Sequence, residues 1–558
     1  MLHVQLLVLV VVIILSSSCH IGRHAIRTVE AFSSIHSSNV CSSRSSDPSK
    51  HGIHVRRTRV RLRETDTGGS VHGDEKQQTT ITDPSSTDDD DEINYDNLFT
   101  IRQSTFVLDN QNTLETMSVR YPPEDNVRLK WMKPWRWIRR HRNPEVDTNS
   151  VKLKYDYDYY QLELLNDDDD DQKSRNLPPT TTGIVLIHPI GVGIAKWYYQ
   201  RLLHGLLFNS TDQSSLPRQK SRQQRYVVLV PDLLGCGSAC NPQIQLNTTT
   251  GSSKDDDDDD DQQQNQQQLE VHRLPLLNIS DWSNQILHLM STVEDTNGKG
   301  IDRWCVVANG GCSPIALKVA ATAASQPLPP SQQQSSQPNL PTKPVTNVIL
   351  SCVPRLPFFV NATDPDKVLK SYKTLCGIPG NVFWWYSCRN RGKFIQKFSE
   401  KNLVADPVNL GSTWTANCVK TAQMQNNKNK YATFGFLAGN LQDGCNESLS
   451  TLQTINNEAT NAQKGRGVQI DVIRGKDVRI NRAKSWFWQK RPKTQKRQSD
   501  KKKDEKKKRY ETFREYVERK GMSKGGNVRE LVVGGKISLA HEDGVGYAKA
   551  LLEILNDS

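Results

Sequence analysis

The sequence predicts an α/β fold, a mostly parallel sheet with helices on both faces. Three observations carry that prediction. Short apolar runs that read as strands recur from Gly183 onward. Stretches with apolar residues at helical spacing lie between them. One run, "VVANGGCSPIALKVAA" (Val306 to Ala321), passes from a strand through a tight glycine turn into an amphipathic helix. Parallel strands need long crossovers, and crossover helices cover both faces of the sheet.

The elements follow in order. "GIVLIHPIGVG" (Gly183 to Gly193) is a strand running into a glycine turn. "RYVVLVPDLLGCGS" (Arg225 to Ser238) is a second strand and its loop. "ISDWSNQILHLMSTV" places Trp282, Ile286, Leu289 and Val293 at helical spacing. "RWCVVANGG" (Arg303 to Gly311) is a third strand, "VTNVILSCVP" (Val345 to Pro354) a fourth and "GVQIDVIRGKD" (Gly467 to Asp477) a fifth. "DGVGYAKALLEIL" is a closing helix with Val545, Ala548, Leu552 and Leu555 on one face.

Much of the 558-residue chain is not core sequence. Acidic runs (Asp88 to Asp91, Asp167 to Asp171, Asp255 to Asp261), a Gln/Asn tract (Gln262 to Gln268) and a Ser/Gln/Pro-rich stretch (Ser325 to Pro344) bury too little apolar surface to offset their ordering entropy. Such inserts belong in connections, where backbone stays solvated and added length costs little. They are expected at about residues 166–180, 209–222, 246–270, 325–344 and 489–510 of a domain spanning 151–558. Residues 76–150 are expected to be largely disordered or extended.

The net charge of +12 is clustered at Arg56 to Arg63 and at Lys490 to Lys508. No aromatic-interleaved groove or zinc spacing accompanies either block, so the reading is solvated insertion rather than nucleic-acid binding. Lys490 to Lys508 also offers a contact with an anionic membrane surface. The 11 cysteines show neither CxxC nor CxxxH spacing. Cys305, Cys312 and Cys352 lie in or beside apolar strands and read as small buried hydrophobes. Unpaired cysteines suit a reducing compartment.

The N-terminus reads as an address. "LLVLVVVIIL" (Leu6 to Leu15) is short for a membrane span and looks like a signal-peptide core. From Phe32 to Arg63 the chain is rich in Ser and Arg, with Asp47 as its only acid. That is transit-peptide composition. A signal peptide (1–31) and transit peptide (32–75) joined at Ala31-Phe32 resemble the bipartite leaders of complex plastids. Plastid location is the expectation, with a secreted or membrane-anchored protein as the alternative.

The order of motifs resembles the α/β-hydrolase fold superfamily, and in particular a plastid and cyanobacterial subgroup with a degenerate catalytic triad. "LIHPIGVGIAKW" resembles its strand and oxyanion loop. "VLVPDLLGCGSACNP" resembles its Asp-x-x-Gly-x-Gly-x-Ser loop through Asp232, Gly235, Gly237 and Ser238, with the Ser one place early. "VVANGGCSPIAL" resembles its nucleophile elbow. "GNVFWWYSCRNRGKFIQKFSEKNLV" and "KYATFGFLAGN" lie where the family carries a helical cap, here at about residues 355–445.

An elbow needs small residues two before and two after its nucleophile, and an N–H just after it. Three registers are open. With Gly310 at the tip, Ala308 and Cys312 flank it and Ala316, Leu317 and Ala320 match the helix phase, but glycine has no nucleophile. With Cys312 at the tip, Gly310 precedes it and Ser313 can donate, but the helix phase is off by two. With Ser313 at the tip, the donor would be Pro314, which has no N–H. Ser313 reads better as a helix N-cap.

The resemblance implies an acid and a histidine on the last two loops. Its acid spacing falls on Val478, with Asp477 one residue early. Its histidine spacing, counted from Glu542, falls on Ile537, with His541 beside the Glu. Asp477 also reads as a turn residue and His541 as an exposed helix-start residue. His188 either orients a loop supplying the Ile190 N–H to an oxyanion, with Gly191 and Gly311 lining it, or satisfies buried backbone groups. The sequence offers no metal or cofactor motif. Two functions are expected. One is a non-catalytic or atypical protein binding an apolar or ester-like ligand, or a partner, in the cleft. The other is a hydrolase of an ester or acyl substrate in which Cys312 attacks, His541 is the base and Asp477 orients it.

Overall fold

The apolar runs become neighbouring strands of one mixed sheet. The computed structural model describes residues 99–120, 151–165, 180–211, 224–246, 270–296, 300–325, 340–386, 392–411, 413–442, 445–461, 467–477 and 511–557. The leader, Val478 and the basic block Lys490 to Lys508 lie outside the described residues. All described residues fall in one unit, Ile93–Ser558.

The strands are β1 (Thr100–Leu108), β2 (Ser118–Arg120), β3 (Val151–Leu165), β4 (Thr180–Ile187), β5 (Gln224–Pro231), β6 (Gln243–Leu246), β7 (Glu270–Arg273), β8 (Arg303–Asn309), β9 (Val345–Ser351), β10 (Gln469–Gly475) and β11 (Glu530–Val533). The main sheet runs β1-β3-β5-β4-β8-β9-β10-β11, with β6 pairing along β3; β2 and β7 form a separate two-stranded ribbon. β5, β4, β8, β9, β10 and β11 are mutually parallel. β3 is antiparallel to β5 and to β1. Strand order reverses at β4, whose neighbours are β5 and β8. In such sheets the crevice at the C-terminal strand ends beside that reversal is the usual ligand site.

The central strands are buried along nearly their whole length, as expected of parallel strands covered on both faces. One face packs on α3 (Ile279–Thr296) and α4 (Ser313–Ala324). The other packs on α2 (Gln200–Thr211) and α14 (Gly544–Asn556). Between β9 and β10 run α5 (Pro357–Val360), α6 (Pro365–Cys376), α7 (Ile378–Trp384), α8 (Lys393–Asn402), α9 (Thr413–Asn427), α10 (Lys430–Ala438) and α11 (Asn446–Asn461). α11 packs back on α4, while α9 and α10 of the cap meet the loops that follow β4, β5 and β8. α1 (Gln111–Leu114), α12 (Phe513–Lys520) and α13 (Leu539–Glu542) complete the set.

Two sequence expectations are revised. The sheet begins at Thr100 rather than Val151, because β1 lies along β3 from Thr100 opposite Gln161 to Leu108 opposite Leu153. β1 is an edge strand, exposed over much of its length, so it lacks the apolar run that betrays a central strand. In α14, Val545 faces solvent while Tyr547, Leu551 and Ile554 join Ala548, Leu552 and Leu555 in the core. The buried arc is centred about one residue away from the predicted face.

Candidate functional site

β8 delivers the chain to a sharp turn. Asn309 ends the strand, Gly310 takes φ +56°, and a single 3-10 turn (Gly310–Cys312) leads into α4 with Pro314 in its first turn. The left-handed φ is costly for residues with a Cβ and free for glycine. A Cβ built on Gly310 would meet nothing within 4 Å. The residue at the sharp turn is therefore a glycine, and the space into which a side chain would project is open.

The other two candidates at the elbow are engaged elsewhere. Ser313 is buried and its hydroxyl donates to the Gly310 carbonyl at 2.7 Å, closing the turn. Cys312 is buried, and burial pushes its thiol up to about 12 despite a hydrogen bond from the Ile190 N–H. A thiol held there is not a thiolate at neutral pH, and the thiolate is the nucleophile. The Ile190 amide, expected as an oxyanion donor, faces that sulfur.

His188 is fully buried at the end of β4. Its Nε2 accepts from the Leu233 N–H at 3.1 Å, and its Nδ1 lies 3.1 Å from the Pro189 carbonyl. Burial lowers its pKa, although Asp232 pulls the other way. It ties the loop after β4 to the loop after β5 as a neutral ring. Asp232 completes that tie. Its Oδ1 accepts from the Lys196 N–H at 2.8 Å, and its Oδ2 accepts from Lys196 Nζ, the Ser238 N–H and the Ser238 hydroxyl, each at 2.9 Å. Burial alone would raise the Asp232 pKa, but Lys196, His188 and the amide donors together bring it below the ordinary value. A Cβ on Gly237 would fall 2.3 Å from this carboxylate, so the loop closes on glycine. Sequence reasoning did not single out Lys196. Its signal is a lone cation between buried Ala195 and Trp197.

The last two loops do not bring their candidates together with Cys312. Asp477 is exposed after β10, its N–H donating to the Gly535 carbonyl at 2.9 Å. His541, expected as an exposed helix-start residue, is buried in α13. Its Nε2 is 2.9 Å from the Leu410 carbonyl, its ring lies 4.6 Å from that of Trp414, and its own carbonyl accepts from Arg201. Leu410 and Trp414 belong to the core on the α2/α14 side, whereas Cys312 belongs to that on the α3/α4 side. The residue beside the elbow is Ile537, whose carbonyl is 3.4 Å from Asn309 Nδ2; that nitrogen also donates to Tyr198 at 2.9 Å. An isoleucine in that place transfers no proton.

Burial and Arg201 hold the His541 pKa near 3, against an ordinary 6.5. Between those values the unfolded chain binds a proton that the folded chain refuses. Stability is therefore full above pH 6.5 and falls with pH through that window. From pH 7.5 to pH 5 the expected loss from this group is about 2 kcal/mol. In urea titrations across that range, His541→Gln, which keeps a donor toward Leu410, should flatten the dependence by that amount. An unchanged slope would refute the assignment.

The cap layer presses on the same strand ends. Thr433 donates to the Gly191 carbonyl at 3.0 Å, and Phe436 covers Gly311, whose built Cβ would lie 2.7 Å from its ring. A Cβ on Gly235 would lie 2.9 Å from the Ala432 methyl. The elbow thus lies beneath a floor of cap side chains, with Phe358 also facing Gly311. An open surface depression of about 480 Å³ lies along α6, lined by Asp366, Leu369, Lys370, Lys373 and Thr374. It includes none of the elbow residues. Among the described residues no cluster of three His, Cys, Asp or Glu is placed to hold a metal ion, and no helix is long and apolar enough to cross a membrane.

No family model and no curated protein matches the sequence. Solved structures that align with it include the peroxisomal α/β-hydrolase Lpx1 of Saccharomyces cerevisiae, at 12% identity and TM-score 0.40 over 83% of this chain and 89% of that one. A thermophilic esterase from Thermogutta terrifontis aligns at 9% identity and TM-score 0.36, over 72% and 94% of the two chains. An epoxide hydrolase from Vigna radiata aligns at 11% identity and TM-score 0.34, over 80% and 100%. The assignment of fold stands on this chain's own topology. The antiparallel strand lies second from the sheet edge, the strand–turn–helix elbow leaves the strand beside the order reversal, and the helical cap is inserted two strands before the end. This is the α/β-hydrolase fold, with a glycine at the tip of its elbow.

Proposed function

We propose that this chain is a non-catalytic member of its fold class that holds a small apolar or ester-like ligand at the elbow, beneath the cap. The observation that carries the reading is Gly310: the tip has no side chain and opens on unfilled space. The surroundings support it. The Cys312 thiol is buried and protonated, His188 is tied to the Leu233 N–H, His541 faces the opposite core, and the Ile537 carbonyl stands by the elbow. Phe358 and Phe436 supply apolar walls beside Gly311. A tip without a side chain leaves room there for an acyl or aromatic group.

The test uses the full chain. A fluorophosphonate probe should leave its intact mass unchanged. Hydrolysis of a short p-nitrophenyl ester should not exceed that of Cys312→Ala. A fluorescent fatty acid should bind, and Gly310→Leu, which fills the open space, should weaken it at least tenfold. Hydrolysis present in the wild type and lost in Cys312→Ala would overturn the reading in favour of a thiol hydrolase. Equal binding by Gly310→Leu would place any ligand elsewhere.

A further inference from the structure

The cap carries a second feature that the elbow does not use. Trp384 is buried in it against Phe434, at 5.8 Å between ring centroids, while the next two residues, Trp385 and Tyr386, are 51% and 44% exposed. Tyr386 lies 6.4 Å from Phe394, which lies 6.1 Å from both Phe383 and Phe398. Phe398 is 47% exposed, and Ile378 at the start of α7 is 75% exposed. Isolated apolar side chains at a surface are ordinary, but a linked row of rings is a patch.

The charge bordering the patch is predominantly positive. On α8, Lys393, Lys397 and Lys401 form an i, i+4, i+8 stripe, all exposed. Phe394 and Phe398 lie one residue further on, about 100° around the helix, between the lysine stripe and the buried side at Ile395 and Ser399. Among the described residues none of these three lysines is in an ion pair. From Lys367 to Lys401 the sequence has eight Lys or Arg and one acid, Glu400.

We infer that the α7–α8 face of the cap is a docking surface for an anionic lipid bilayer. Trp and Tyr with an adjoining basic stripe suit the headgroup level, where rings enter the acyl boundary and ammonium groups meet lipid phosphates. A second copy of this chain would bring the same positive charge to the contact and be repelled. Single-stranded nucleic acid would match the charge and the rings. It would leave the exposed aliphatic Ile378, at the start of α7, without a partner. The residues of this surface are distinct in sequence from the basic block Lys490 to Lys508.

Flotation with vesicles tests this on the full chain. The protein should float with phosphatidylcholine doped with phosphatidylglycerol and not with phosphatidylcholine alone. Each lysine near an anionic surface contributes about fivefold in partitioning, so the triple change Lys393→Gln, Lys397→Gln, Lys401→Gln should weaken it about a hundredfold. Trp385→Ala with Phe398→Ala removes exposed rings, so it should keep the wild-type Tm and lose the residual binding at raised salt. Removal of Lys490 to Lys508 should leave that ring-dependent binding in place. Wild-type flotation by both variants would overturn the proposal, as would loss of flotation only when the block is removed. Retention of single-stranded RNA without flotation, or a dimer broken by Trp385→Ala, would overturn it too.

Discussion

Asp232→Ala is expected to cost about 3–5 kcal/mol of folding stability, close to the whole stability of many domains. The carboxylate is buried and receives four hydrogen bonds, one of them from the Lys196 ammonium, whose side chain is itself mostly buried. Removing it leaves that ammonium without its main partner and frees two backbone N–H groups in a low-dielectric site. It also releases the Ser238 hydroxyl, and with it the turn that closes on Gly237. Asp158 lies 3.4 Å from Lys196 Nζ but is more exposed, so it recovers only part of the loss. Urea denaturation of wild type and Asp232→Ala gives the difference directly. Lys196→Met combined with Asp232→Leu removes both charges and should regain much of it. A loss below about 1 kcal/mol for Asp232→Ala would show that the network is solvated and weak.

Gly193→Ala is the second large effect, and it acts on the cap. Gly193 has φ +69°, and a Cβ there would lie 1.8 Å from the Cys418 carbonyl oxygen of α9. Both contacting groups are backbone, so no side-chain rotation relieves the clash. The left-handed φ adds about 1–2 kcal/mol for any residue with a Cβ, and overpacking adds about 1–3 kcal/mol. The expected outcome is a loss of about 2–5 kcal/mol, with α9 displaced from the loop after β4. Cys418, buried in the wild type, reports which part moves. Its thiol should react with an aromatic disulfide reagent in Gly193→Ala under conditions where the sheet remains folded. An unchanged Tm with an unreactive Cys418 would mean that the loop, not the cap, absorbs the methyl group. If the elbow holds a ligand, the same variant should release it faster.

The sequence by itself determined the central strands, because a strand buried on both faces must be an apolar run wherever it ends up. It determined that the elbow turn contains two adjacent glycines, Gly310 and Gly311, and that Pro314 cannot donate at the next position. The rest needed the third dimension. β1 was hidden because an edge strand buries too little of its surface to leave an apolar signature. The choice among Gly310, Cys312 and Ser313 depends on which residue takes the positive φ, a property of how α4 packs on the sheet. His541 stands one residue from Glu542 in the chain, yet its ring is buried against Trp414 of the cap while Ile537 reaches the elbow. Lys196 and Asp232, 36 residues apart, meet only because β4 and β5 pair in parallel. Local patterns fix which residues must be buried; the partners they meet there are chosen by contacts between distant parts of the chain, and chemistry at this elbow depends on those partners.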